Sequence, residues 1–380
     1  MQAQSFTINC QRLMTPDGWL ENQAVTVEQG VITAINGAGR VDADYSVTQL
    51  VPGFIDLQVN GGGGVLLNQQ TTASAVNTLF AAHHAFGTTG MLPTLITDSA
   101  ETMHAAAKAI VAARQNNPDA IIGVHFEGPW LSQARKGVHP SEHIRPPTAE
   151  ELELLCQPEL GQVMVTLAPE TVSPSTIASL VAAGVIVFLG HSAANAEQTQ
   201  AALDAGATGF THLFNAMSPL QTRQPGMVGV ALQSKECFAG LIVDGHHVDP
   251  ICCTIALKCL GPERICLVTD AMALAASDET EMPFFATTIS KANNKLTTPD
   301  GTLAGSCLTM IDAVRNLVDQ CQVTLFDAIT MASSTPAKAL GIEQQRGSIA
   351  VGMRADLVAL DAELNIQTVF LGGVARQPER

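Results

Sequence analysis

Three residues at the ends of apolar runs could together hold a metal ion: Glu127 in "HFEGPW", His191 in "LGHSAAN" and His212 in "THLFNAM". One carboxylate and two imidazoles, with a position left open for water, make a catalytic zinc site. The same donor set also suits Fe²⁺. Asp270 closes the apolar run "RICLVTD". A carboxylate there must be paired, hydrogen-bonded or facing a cleft. Beside a metal it reads as a general base that takes a proton from water and later gives it to a leaving group. Its plainer alternative is a cap on the following helix. His139 in "KGVHP" and Arg223 in "SPLQTRQPG" lie in loop-like stretches, where either could simply face solvent. The chain has no G-x-S-x-G elbow and no H-E-x-x-H, so neither a serine nucleophile nor a helix-borne zinc protease is indicated.

Residues so far apart in the chain need a scaffold that gathers strand ends. The middle of the sequence supplies one. Short β-rich runs ("AIIGVHFEG", "QVMVTLAPE", "GVIVFLGHS", "ATGFTHLFN", "CFAGLIVDGHH", "RICLVTDA") alternate with Ala- and Leu-rich stretches. Helices are expected over Ser175–Ala183, Ala196–Ala205 and Pro250–Leu260. Continuous apolar strands between helices predict a parallel sheet buried on both faces. Glu127, His191, His212, His247 and Asp270 all fall at or just past strand C-termini, which form the active-site face of a (β/α)₈ barrel. A Rossmann sheet would show one Gly-rich phosphate turn, and no suitably placed G-x-G-x-x-G occurs. "GGGG" at Gly61–Gly64 reads as a flexible turn.

The first fifty residues and the last thirty-five or so differ from the middle. "SFTINCQRLM", "QAVTVEQG" and "VITAING" are short strands separated by turn signals, and "GSIAVGMRADLVALDAELNIQTVFLGGV" reads alike. The expected organisation is one small β domain from residues 1–50 with 345–380, and a barrel over 51–344.

Composition sets the outer bounds. The 380 residues are 46% hydrophobic and only 14% charged, which suits a globular protein with a large core. The formal charge of −16 argues against nucleic acid or anionic membrane as partners, though a few basic groups can still dominate one pocket. The nine cysteines have irregular spacing and no C-x-x-C, as expected of reduced thiols in a cytoplasmic protein. "MQAQSFTINC" lacks a signal-peptide pattern, and "LVAAGVIVFLG" is too short to span a membrane.

Taken in order, "PGFIDLQVNG", "HFEGPW", "KGVHP", "GHS", "THLFNAM", "RQPG", "VDGHHVD", "LVTDA", "GTLAGSCLTM" and "GMRADLVALD" resemble the motifs of the N-acetylglucosamine-6-phosphate deacetylases, within the amidohydrolase superfamily. The resemblance implies a (β/α)₈ TIM barrel with a small β-sandwich from both chain ends. It also implies hydrolysis of N-acetylglucosamine 6-phosphate to glucosamine 6-phosphate and acetate. Glu127, His191 and His212 match the family's metal ligands, Asp270 its acid/base, and His139 a residue close to the scissile amide. Val138, Asn215, Ala216, Leu303, Ala304 and Gly305 match substrate contacts. Arg223 and His247 match phosphate-holding groups, of which one or both can come from a neighbouring subunit in a homodimer.

The chain departs from the family pattern at several positions. His246 beside His247 makes a double His, and Ala304 stands where Ser is usual. Gln58 and Asn60 replace the His-x-His of dinuclear relatives. Neutral amides are poor zinc ligands, so one divalent ion per chain is expected, Zn²⁺ or Fe²⁺, with the second position vacant. The alternatives are a deacetylase of another phosphorylated amino sugar, such as N-acetylgalactosamine 6-phosphate, or a scaffold that has lost catalysis.

Overall fold

The computed structural model describes residues 5–37 and 42–376. Residues 1–4, 38–41 and 377–380, which belong to the expected small β domain, lie outside the described residues. So does the start of the stretch read for a signal peptide.

Eight parallel strands form the central sheet, in the order of the chain. They are Phe54–Val59, Thr88–Ile96, Gly123–Glu127, Gln162–Leu167, Ile186–Leu189, Gly209–Phe210, Phe238–Leu241 and Ile265–Leu267. They are called barrel strands one to eight below. Strands one and two are buried along their whole length, because helices cover the sheet from outside. The ring closes between strands eight and one. There the Asp270 amide donates to the Gln58 carbonyl at 2.9 Å, and Val59 bridges Ala271. This is the expected (β/α)₈ barrel.

The helices follow local sequence logic. Pro174–Ala182 starts with Pro after a Ser173 cap, and Ala196–Asp204 opens on a capping box from Asn195 and Gln198. Pro250–Leu260 is capped by Asp249 and stopped by Gly261. The barrel strand that sequence patterning did not anticipate is strand two. It carries Pro93, which removes a ladder donor and normally demotes a run to an edge.

Strands from both ends of the chain form one seven-stranded sheet. Leu357–Leu360 pairs antiparallel with Tyr45–Pro52, and Phe6–Thr15 pairs parallel with that same strand. This sheet has its own apolar core, including Ile8, Leu13, Leu50, Leu357 and Phe370. A further three-stranded sheet (Glu281–Phe284, Thr287–Ala292 and Lys295–Thr297) is inserted after barrel strand eight. The sequence reading did not foresee it. It packs through Met282, Phe284, Ile289 and Leu296 onto Met272 and Ile96 beside the barrel mouth.

The glycine run after strand one is not a loose turn. Gly61–Gly62 pairs with Val65–Leu66, and the amides of Gly61 and Gly64 donate to Ala271 and Ala273 carbonyls. A Cβ on Gly62 would fall 2.6 Å from the His83 ring, so the position needs glycine for packing rather than for freedom. Among the described residues no helix is long and apolar enough to cross a membrane.

Candidate active site

The C-terminal ends of the barrel strands bring the chemically active residues together. Glu127 ends strand three, and His191, His212 and Asp270 follow strands five, six and eight. The two histidines and Asp270 share an unusual backbone. Their φ angles are +46°, +34° and +50°, the left-handed region that non-glycine residues seldom occupy. Hydrogen bonds hold the chain there. Around Asp270, its amide N–H donates to the Gln58 carbonyl, and its carbonyl accepts from the Ser306 N–H, both at 2.9 Å.

Glu127 Oε1, His191 Nε2 and His212 Nε2 form a triangle with sides of 3.0–3.2 Å. Hydrogen bonding shows what this triangle is for. His191 Nδ1 lies 2.8 Å from the Arg135 carbonyl, which can only accept, so Nδ1 carries the proton. In the neutral ring Nε2 is then a bare lone pair aimed at a carboxylate oxygen and at a second imidazole nitrogen. The Glu127 oxygen and the His191 lone pair converge with a second imidazole nitrogen, His212 Nε2, whose far nitrogen makes no hydrogen bond among the described residues, and a cation between the three suits this donor set. A carbonyl partner on the far nitrogen, as in His191, is also what metal-bound imidazoles usually have. The residues present therefore fit a divalent ion.

His139 lies in the same cluster, its Nε2 3.9 Å from Glu127 Oε2, and Glu127, His139 and His191 form a second possible donor set. Tautomer logic separates His139 from the triangle. The backbone N–H of Thr97 points at His139 Nδ1 from 3.3 Å, and the Thr97 hydroxyl, 2.9 Å away, can donate to the same nitrogen; with Nδ1 accepting, the ring proton sits on Nε2. His139 thus offers a donor to the site, where His191 offers a lone pair. Burial, reinforced by His191, holds the His139 pKa well below the ordinary value, so the ring is neutral.

Asp270 faces this centre. Burial, and then the Glu127 charge, raise its pKa to about 6. Asn60 Nδ2 donates to Asp270 Oδ1 at 2.6 Å, and Gln58 Nε2 reaches both Asp270 Oδ1 (3.2 Å) and Glu127 Oε1 (3.1 Å). The amides of strand one thus bridge the two carboxylates.

A cavity of about 160 Å³ opens over these groups. Val138, His139, Asn215, Ala216, His247, Leu303 and Gly305, all matched to site residues by the family resemblance, line it. His247 Nδ1 binds Asp244 Oδ2 at 2.6 Å, which leaves Nε2 for the cavity, whereas His246 is exposed. Ala304 is fully buried in the core of the inserted sheet and is not on the cavity wall. Arg223 is not brought to this cavity either. It is exposed in a neighbouring hollow with Arg135 and Gln221. Ile96, Gly137 and Met272 line the site and were missed. Gly137 and Met272 carried a signal, the one inside "KGVHP" and the other two residues after Asp270.

The Amidohydrolase family profile matches residues 49–376, most of the chain. The chain belongs to the amidohydrolase family. It is 43% identical over 369 residues to the N-acetylgalactosamine-6-phosphate deacetylase of Shewanella sp. (strain ANA-3), covering 95% of this chain and 93% of the relative. It is 34% identical to the N-acetylglucosamine-6-phosphate deacetylase of Vibrio furnissii, covering 98% of this chain and 95% of that one. The N-acetylglucosamine-6-phosphate deacetylase structure from Pasteurella multocida superposes with a TM-score of 0.94 at 35% identity, covering 98% of this amidohydrolase and all of that chain.

Proposed function

We propose that this amidohydrolase cleaves the acetamide of an N-acetylhexosamine 6-phosphate, releasing acetate and the amino sugar 6-phosphate. The observation that carries the reading is the bare His191 Nε2 converging with Glu127 and His212 across from Asp270. A divalent ion held by that triad, Zn²⁺ or Fe²⁺, would activate water and polarise the amide carbonyl. Asp270 takes the proton of the attacking water and passes it to the departing amine, which leaves poorly until protonated. His139 Nε2–H donates to the developing oxyanion. Asn215, Ala216 and His247 bind the sugar phosphate. Arg223 completes that site from the neighbouring subunit of a homodimer, since in its own chain it lines a separate hollow and not the cavity. The location is cytoplasmic.

The gluco epimer, N-acetylglucosamine 6-phosphate, is the substrate suggested by the motifs. The galacto epimer is a second reading, favoured by the 43% identity to an N-acetylgalactosamine-6-phosphate deacetylase against 34% to the Vibrio enzyme. The test is acetate release from both 6-phosphates, with metal analysis of the same sample. Release from neither would defeat the reading, and the ratio of the two kcat/KM values ranks the epimers.

A further inference from the structure

The cavity has two unlike walls. His247, Asn215 and Ala216 make a polar side after barrel strands six and seven. Ile96 and Met272 make an apolar side. Ile96 ends strand two, which stands four strands from strand six in the eight-stranded ring and so lies across the barrel from it. Both apolar residues adjoin the reacting groups. Ile96 is the register partner of Glu127 on strand three. Met272 Sδ lies 3.7 Å from Asn60 Nδ2, the atom that holds Asp270.

Neither side chain has room to retreat. Both are almost fully buried in one cluster with Leu66, Leu274 and Phe284. Asn68 bonds the backbone of Ile96 on both sides, accepting from its N–H and donating to its carbonyl. Gly305 presses on Met272 so closely that a Cβ there would lie 2.6 Å from its Cγ.

We propose that Ile96 and Met272 form the acyl subsite and limit the scissile acyl group to two carbons. The inference rests on the amide-hydrolysis reading above. An amide carbon set between Asp270 and the Glu127–His191–His212 triad has two substituents to place. The nitrogen leads to the sugar and its phosphate, toward the polar wall. The methyl group then projects the opposite way, onto the isoleucine and the thioether. A rigid apolar wall accepts a methyl group, and longer chains clash with it. One methylene more or less in such a pocket changes specificity by roughly 10- to 200-fold.

The experiment compares N-acetyl, N-propionyl and N-butyryl hosts of the same hexosamine 6-phosphate with the metal-loaded wild type, Ile96→Ala and Met272→Ala. The wild type should prefer acetyl strongly. In each variant the butyryl-to-acetyl ratio of kcat/KM should rise about 10-fold or more. Should either alanine variant fail to fold, Ile96→Val removes one methylene and should raise the propionyl-to-acetyl ratio alone. Variants that lose rate equally on all three acyl groups, or a wild type indifferent to acyl length, would overturn the subsite. A wild type that releases acetate while the variants keep its ratio sinks only the subsite. One that releases no acyl group at all sinks the reaction.

Discussion

Asn60 donates to Asp270 across the seam of the barrel at 2.6 Å, so the first strand positions the carboxylate carried by the last. Asn60→Ala removes that donor without touching the metal triad. Hydrogen bonding to a carboxylate favours its charged form, so losing the bond moves the Asp270 pKa upward. The acid limb of the kcat/KM profile should shift to higher pH, with metal content unchanged. An unmoved limb would show that Asn60 does not tune Asp270.

Asp270 itself sets where that limb lies. Its pKa is raised to about 6, by burial first and the Glu127 charge second. A base works only when ionised, and a divalent cation facing Asp270 pulls its pKa back down, so activity should fall on the acid side of about 6 and level off above it. Asp270→Asn should reduce kcat by roughly 10²–10⁴-fold and keep the bound metal. Near-wild-type turnover in that variant removes Asp270 from the mechanism.

The ion count follows from the same strand. Gln58 and Asn60 spend their amide donors on Glu127 and Asp270, and neither strand-one position offers an imidazole for a second ion. Elemental analysis should give about one divalent ion per chain, and chelation should abolish activity while far-UV circular dichroism persists. A stable ratio of two, with the extra ion beside Gln58 and Asn60, contradicts this.

Asp56 predicts a pH-dependent stability. It is buried beneath Gln58, where Thr269 Oγ1 donates to Oδ2 at 2.6 Å. Burial nevertheless outweighs that bond and raises its pKa to about 7. The folded chain therefore binds this proton more tightly than the unfolded one. The stabilisation is complete below the ordinary carboxylate range and is lost as pH climbs to about 7. Asp56→Asn stands in for the protonated form at every pH, so its melting temperature relative to wild type should rise between pH 5 and pH 8. A difference independent of pH would assign the effect of the substitution to packing alone.

Arg223→Ala should raise KM for the 6-phosphate roughly 10- to 100-fold, and should barely affect the unphosphorylated sugar. Mixed with Asp270→Asn protein, it should regain activity in heterodimers. Equal losses on both sugars would exclude a phosphate role.

The sequence disclosed the reacting groups because residue type and strand-end position are both written in it. Glu127, His191, His212 and Asp270 converge as their places after apolar runs suggested. The contacts that decide their roles were hidden. The Arg135 carbonyl and the Thr97 amide fix opposite tautomers in His191 and His139, and backbone groups carry no residue signature. Ile96 was missed because Pro93 disguised its strand, and Met272 because an apolar wall looks like core. The inserted sheet, Glu281 to Thr297, was missed as well. Its strands are very short, and only Glu281–Phe284 alternates strictly between exposed and buried residues, so no run was long enough to register.

The pairing of Val51 with Val358 governs how this chain can be made. Roughly 300 residues separate two neighbours in one ladder, a very non-local contact by the standards that govern folding rate. During synthesis the strand Tyr45–Pro52 emerges early, yet one of its edges has no partner until Leu357–Leu360 has left the ribosome. An open, partly apolar edge is a template for pairing with other chains. Until then the nascent protein is most exposed to misassembly along that edge, and so most dependent on chaperones.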